Sequence, residues 1–214
     1  MGDFEGQSPW PSEAPCEGEE LLSGKDGVLV EERIIDQIVG AKSDPIRDPV
    51  LICVGGLHGN EPGGVDALVR VTRELRAQGQ ALDLKGTLLA LRGNRGALAH
   101  KKRYIDADLN RAWAKEDLAR VRTQDPCFDG PTDREVRELL ACIEKPVSQG
   151  RRVFLLDMHS TSGGGPPFSV VLGGRDSERL AAQIGVPCVH GLNESIQGTL
   201  TSWFSAHHGP SIVV

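Results

Sequence analysis

Short apolar runs alternate with amphipathic segments along most of the chain. Pro49–Gly55 (PVLICVG), Thr87–Leu91 and Val153–Asp157 are nearly unbroken apolar stretches, the pattern of strands buried on both faces. Phe168–Leu172 and Val186–Val189 read as further short strands, and Val28–Val30 with Ile34–Val39 as a strand pair. Between them lie helical patterns. Pro62–Arg76 carries Val65, Leu68, Val69 and Leu75 as its stripe, with Pro in the first turn and Gly79 beyond its end. Thr132 and Glu135 form a capping box ahead of Val136, Leu139, Leu140 and Ile143, and Pro146 is expected to stop that helix. Ser177–Ile184 closes at Gly185, and a weaker helix is expected near Thr199–Ala206.

Strands alternating with helices predict an α/β fold in three layers, a mixed and partly parallel sheet with helices on both faces. The chain divides into an arm, residues 1–25, and one domain, residues 26–214. The arm is rich in Pro and Gly, and its six acids (Asp3, Glu5, Glu13, Glu17, Glu19, Glu20) face one base, Lys25, a composition that buries little apolar surface. At the other end, Ser211-Ile212-Val213-Val214 is a β-branched run suited to a central strand. The expectation is a chain cut in mid-fold.

Charge and cysteine content narrow the function classes. A net charge of −6 argues against a nucleic-acid or anionic-membrane surface. No apolar run approaches the roughly 18 residues of a membrane span. The five cysteines are scattered with no C-x-x-C, which fits a reducing compartment, and the cytoplasm is the default.

Chemistry concentrates in three places. GGLHGNEPGG, Gly55 to Gly64, stands where a buried strand meets its helix, at the kind of strand end where open α/β sheets bind ligands. Glycine lets His58 and Glu61 converge on one point. A phosphate loop would need G-K-[ST], which is absent. His159 emerges from the end of another buried strand, Phe154-Leu-Leu-Asp157-Met-His159. Two histidines and a glutamate make the three-ligand set of a catalytic zinc site, which keeps a fourth position for water.

The third place is Arg103-Tyr-Ile-Asp-Ala-Asp108-Leu-Asn110-Arg111. A solvated loop with weak ion pairs would explain it. So would chemistry, since a guanidinium grips a carboxylate bidentately and an amide fixes its angle. Asp108 is suited to accept the spare N–H of a zinc-bound imidazole. His100 sits beside Lys101 and Lys102 and reads as surface, His190 follows a short strand, and the adjacent His207 and His208 point in different directions.

HGNE, RYIDADLNR and DMHSTSG, in this order and spacing, resemble the succinylglutamate desuccinylase/aspartoacylase family of zinc amidohydrolases, relatives of the zinc carboxypeptidases. The resemblance covers roughly residues 47 to 214. It implies a zinc carboxypeptidase-like fold, one Zn2+ per chain held by His58, Glu61 and His159, and Arg103 polarising the scissile carbonyl. It also implies Asn110 and Arg111 on a substrate carboxylate, Asp108 supporting His58, and Thr199, in Gly198-Thr199-Leu200-Thr201, near the substrate. The partner is then a small N-acyl amino acid, with self-assembly left open. Family members carry a general-base glutamate just after the strand that Ile212–Val214 resembles, and a small β-rich domain beyond it. No residue present matches that base; Glu194, the nearest carboxylate in sequence, has the wrong context.

The expected activity is hydrolysis of the amide of an N-acyl amino acid by metal-activated water. A carboxypeptidase-type peptidase is the rival with the same chemistry. A zinc-containing binding module lacking the base, and a purely structural α/β domain, are rivals of other classes.

Overall fold

The computed structural model describes residues 31–214 apart from 45, 80–82, 162 and 193–195. The acidic arm, Val28–Val30 and Glu194 lie outside the described residues. Among the described residues, seven strands form one sheet: β1 (Ile34–Val39), β2 (Val50–Gly55), β3 (Thr87–Arg92), β4 (Val153–Met158), β5 (Ser169–Val170), β6 (Cys188–Val189) and β7 (Ser211–Val213). Their spatial order is β1-β3-β2-β4-β7-β5-β6. The centre, β3-β2-β4-β7, is parallel, while β1 runs antiparallel to β3 and β5 antiparallel to β7. The sheet is therefore mixed.

Alternation along β2 shows the three layers. Val50, Ile52 and Val54 pack with α3 (Lys115–Thr123), α4 (Pro131–Ser148) and α6 (Leu200–His207) on one face. Cys53 and the partly buried Leu51 turn to the other face, against α1 (Gly63–Ala77). Farther along that face, α5 (Arg175–Ile184) sets Ala181 against Ile212. The larger core depends on α4, whose Val136, Leu139, Leu140 and Ile143 are all 0% exposed. Burial of side chains of this kind contributes about 1.5–3 kcal/mol each.

Most predicted elements stand where the apolar pattern placed them, and the departures have local causes. Ile34–Val39 pairs with β3. On α1, Thr72 is buried while Val69 is exposed, because the Thr72 hydroxyl donates to the Leu68 carbonyl and so costs little to bury. There is no capping box on α4. Pro131 takes the first helical position and Gly130 the cap, and this frees Thr132 and Glu135 for partners elsewhere. Pro146 lies inside α4, which runs on to Ser148; so near the helix end a missing N–H removes little. The expected Phe168–Leu172 strand shrinks to two residues. A short helix, α2 (Arg95–His100), and α3 went unpredicted. Each lacks a long apolar stripe: α2 buries only Ala97, and α3 only Leu118 and Val121.

Candidate metal centre

β2 and β4 are parallel neighbours with Gly55 opposite Met158, so the residues that follow them emerge side by side. The chain leaves β2 through Gly56, whose φ of 75° suits glycine. It buries Leu57 and presents His58, with Glu61 completing the turn through its N–H to the His58 carbonyl at 3.0 Å. Gly59 allows this loop to lie on α2. A Cβ there would stand 2.0 Å from the carbonyl carbon of Ala97. His159 directly follows β4, its N–H held by the Val214 carbonyl at 2.7 Å.

The three predicted ligands converge. Nδ1 of His58 and Nδ1 of His159 lie 3.0 Å from Oε1 and Oε2 of Glu61, respectively. One donor atom from each residue falls within a 4.8 Å span. The far nitrogen of each ring meets a second carboxylate, His58 Nε2 at 3.1 Å from Asp108 Oδ1 and His159 Nε2 at 3.1 Å from Asp157 Oδ2. Each imidazole therefore lies between two carboxylates, and a cation taking the place of the proton at Nδ1 would leave the Nε2–H donating to Asp108 or Asp157. Asp108 thus stands where the sequence placed it. Asp157, 0% exposed, was not singled out as a partner. Its signal was a carboxylate in an apolar strand two positions before a histidine, hence on the same face.

The electrostatics agree with a cation site. Burial opposes ionisation of Glu61, yet hydrogen bonds from His159 and the Ser160 N–H bring its pKa down to about 2. Burial likewise opposes protonation of His159, and the charges of Asp157 and Glu61 override it, raising the pKa to about 10. Three carboxylates therefore surround two imidazoles, and Arg103 is the guanidinium at the rim. Its Nη1 lies 3.6 Å from Glu61 Oε1 and its Nη2 3.2 Å from Asp108 Oδ2.

The remaining predicted residues divide. Buried Asn110 accepts the Leu200 N–H through Oδ1 at 3.1 Å and sets Nδ2 3.4 Å from His159 Nε2. Arg111 is exposed, with Nη1 donating to the Asn110 carbonyl at 2.7 Å. Thr199 is 2% exposed and caps α6, accepting the Ser202 N–H at 3.1 Å. Its hydroxyl serves the helix. Beside His159 a cavity of about 520 Å³ opens between Ser160, Pro167, Phe168 and Val213, room for a ligand of amino-acid size.

The sequence pattern of the succinylglutamate desuccinylase/aspartoacylase catalytic domain matches residues 47–214. The chain belongs to this family. A probable aspartoacylase of Parasynechococcus marenigrum is 33% identical over 146 residues, 64% of this chain and 44% of that protein. The human N-acyl-aromatic-L-amino acid amidohydrolase (carboxylate-forming) is 31% identical over 119 residues, 54% of this chain and 35% of that protein. The chain thus aligns with less than half the length of these curated relatives. Among solved structures, succinylglutamate desuccinylase from Chromobacterium violaceum superposes with a TM-score of 0.58 at 22% identity, covering 78% of this chain and 51% of that one. A metallo-carboxypeptidase from Burkholderia cenocepacia gives 0.55 at 14% identity, covering 85% and 53%. These place the fold with the family's desuccinylases and with metallocarboxypeptidases. Among the described residues no helix is long and apolar enough to cross a membrane.

Proposed function

We propose that this family member forms the catalytic core of a zinc-dependent amidohydrolase acting on an N-acyl amino acid or a similar small carboxylate-bearing substrate. One observation carries the reading: His58, Glu61 and His159 turn their donors to one point while Asp108 and Asp157 hold the opposite ring nitrogens. The donor set of two imidazoles and a carboxylate suits zinc, and the surplus of carboxylates suits a divalent charge. Zinc bound there would lower the pKa of a water to about 7 and polarise a carbonyl.

The rest of the work falls to the chain's own residues. Arg103, partly exposed at the rim of the cluster, is placed to stabilise the oxyanion of a tetrahedral intermediate. Arg111 on the surface and Asn110 beneath it would grip the substrate carboxylate. Asp108 and Asp157 keep both imidazoles oriented throughout.

Metal analysis together with a hydrolysis panel tests this. The purified chain is expected to carry one zinc, and His58→Ala and His159→Ala to carry none. The zinc-loaded protein, offered N-acyl amino acids and short peptides, is expected to prefer the former. A chain that binds no zinc with measurable affinity overturns the reading; a preference for peptides moves it to the carboxypeptidase class.

A further inference from the structure

Residues 101–107, between α2 and the turn Leu109–Arg111, are exposed at every position, so core packing does not fix them. Yet this segment leads from Arg103 to Asp108, the carboxylate on His58. Backbone bonds hold its near end, Lys102 N–H to the Ala97 carbonyl at 3.0 Å and Gly59 N–H to the Arg103 carbonyl at 3.3 Å. Its far end enters the core at Leu109, which is 0% exposed. Between these anchors a side-chain carboxylate reaches α4.

That side chain is Asp106. Its carboxylate accepts the Thr132 N–H at 3.1 Å and also the Thr132 hydroxyl. The same hydroxyl oxygen lies 3.1 Å from the Ala107 carbonyl, and the Ala107 N–H turns back to Asp106 at 3.0 Å. Thr132 is 5% exposed in the first turn of α4, the helix that builds the larger core. Gly130 leaves space for the approach, since a Cβ there would lie 3.1 Å from Asp106 Oδ2. One turn on, Glu135 accepts the Gly96 N–H at 3.0 Å and so holds α2 to the same helix.

We propose that Asp106 is a positioning residue. By locking its loop onto Thr132 it sets the Asp108 carboxylate against His58 Nε2. Asp108 is two residues away and its 3.1 Å contact has little slack, since a hydrogen bond fails when stretched by about 0.5 Å. The zinc arm of the test rests on the function proposed above; the spectroscopic arm does not.

The experiment compares the wild-type chain with Asp106→Ala, Thr132→Val and Thr132→Ser. Long-range 1H–15N spectra of the zinc-free chain report the His58 Nε2 proton, and competition with a chelator reports zinc affinity. Asp106→Ala is expected to expose that proton to fast exchange and weaken zinc about 10- to 100-fold, the usual cost of losing support behind a ligand. Thr132→Val, which keeps the backbone N–H, is expected to do so partially, and Thr132→Ser to behave as wild type. Should folded Asp106→Ala lose thermal stability while keeping the protected proton and wild-type zinc affinity, the tie is merely structural and the proposal is overturned. If that variant fails to fold, the Thr132 pair decides on the same two readouts. A wild-type chain that takes no zinc defeats the metal reading, while the imidazole proton still judges Asp106.

Discussion

Asp157 and His159 leave the end of β4 on one face, the carboxylate Oδ2 3.1 Å from the imidazole Nε2. Asp157 is completely buried, and its Oδ1 has no hydrogen-bond partner among the described residues. A buried carboxylate so little satisfied is costly unless a positive charge stands close by. Asp157→Asn keeps the shape and removes the charge. It is expected to weaken zinc binding about 10- to 100-fold, read by chelator competition. Unchanged affinity would show that the pair serves folding alone.

Gly59→Ala tests the loop from the other side. The added methyl would meet the backbone of Ala97 at 2.0 Å, too close for a side-chain adjustment to relieve. Such overpacking typically costs about 1–3 kcal/mol, and the displaced loop is expected to lose zinc as well. Urea unfolding and metal analysis check both outcomes. A variant of wild-type stability that retains zinc would mean the loop does not lie against α2.

The two arginines near the site are expected to fail differently in hydrolysis by the zinc-loaded protein. Arg103→Ala is expected to lower kcat about 100-fold or more, as the loss of one preorganised donor to an oxyanion does. Arg111→Ala is expected to raise KM chiefly, since its fork would bind ground state and transition state alike. Interchanged effects would exchange the two roles.

Leu140 of α4 is 0% exposed in the larger core. Leu140→Ala is expected to destabilise the chain by about 2–5 kcal/mol, measured by urea unfolding of the zinc-free form. A loss below about 1 kcal/mol would remove α4 as the rigid base for the Asp106 loop.

Asp36 on β1 takes both ends of the Arg76 guanidinium, at 2.7 and 2.6 Å. The Arg76 hydrogen bond holds the Asp36 carboxyl below its ordinary pKa, against a smaller opposing effect of burial. The folded pKa is the lower one, so the pair's contribution is fully present above the unfolded value near 3.9 and is lost as pH falls through the folded value. Asp36→Asn is therefore expected to melt slightly below wild type at pH 7, by no more than about 4 °C for so exposed a pair. The gap should close in acid. A gap that persists unchanged at pH 2 would assign the loss to packing instead.

The sequence alone determined the elements that carry a strong period and the chemistry that carries a strong motif. Unbroken apolar runs marked β2, β3 and β4, because a strand buried on both faces excludes polar side chains. The α4 stripe marked its helix, and HGNE with the later His159 marked the donor set, because few residue types can hold a metal at those spacings. Only the tertiary structure decided what depends on distance between segments. It gave Thr132 and Glu135 to Asp106 and Gly96 instead of a capping box. It also set Asp108 behind His58, 50 positions away along the chain. Each of these is a polar group choosing among several partners of similar strength, and the choice is made by which strands and helices pack side by side, a property no local window of sequence contains.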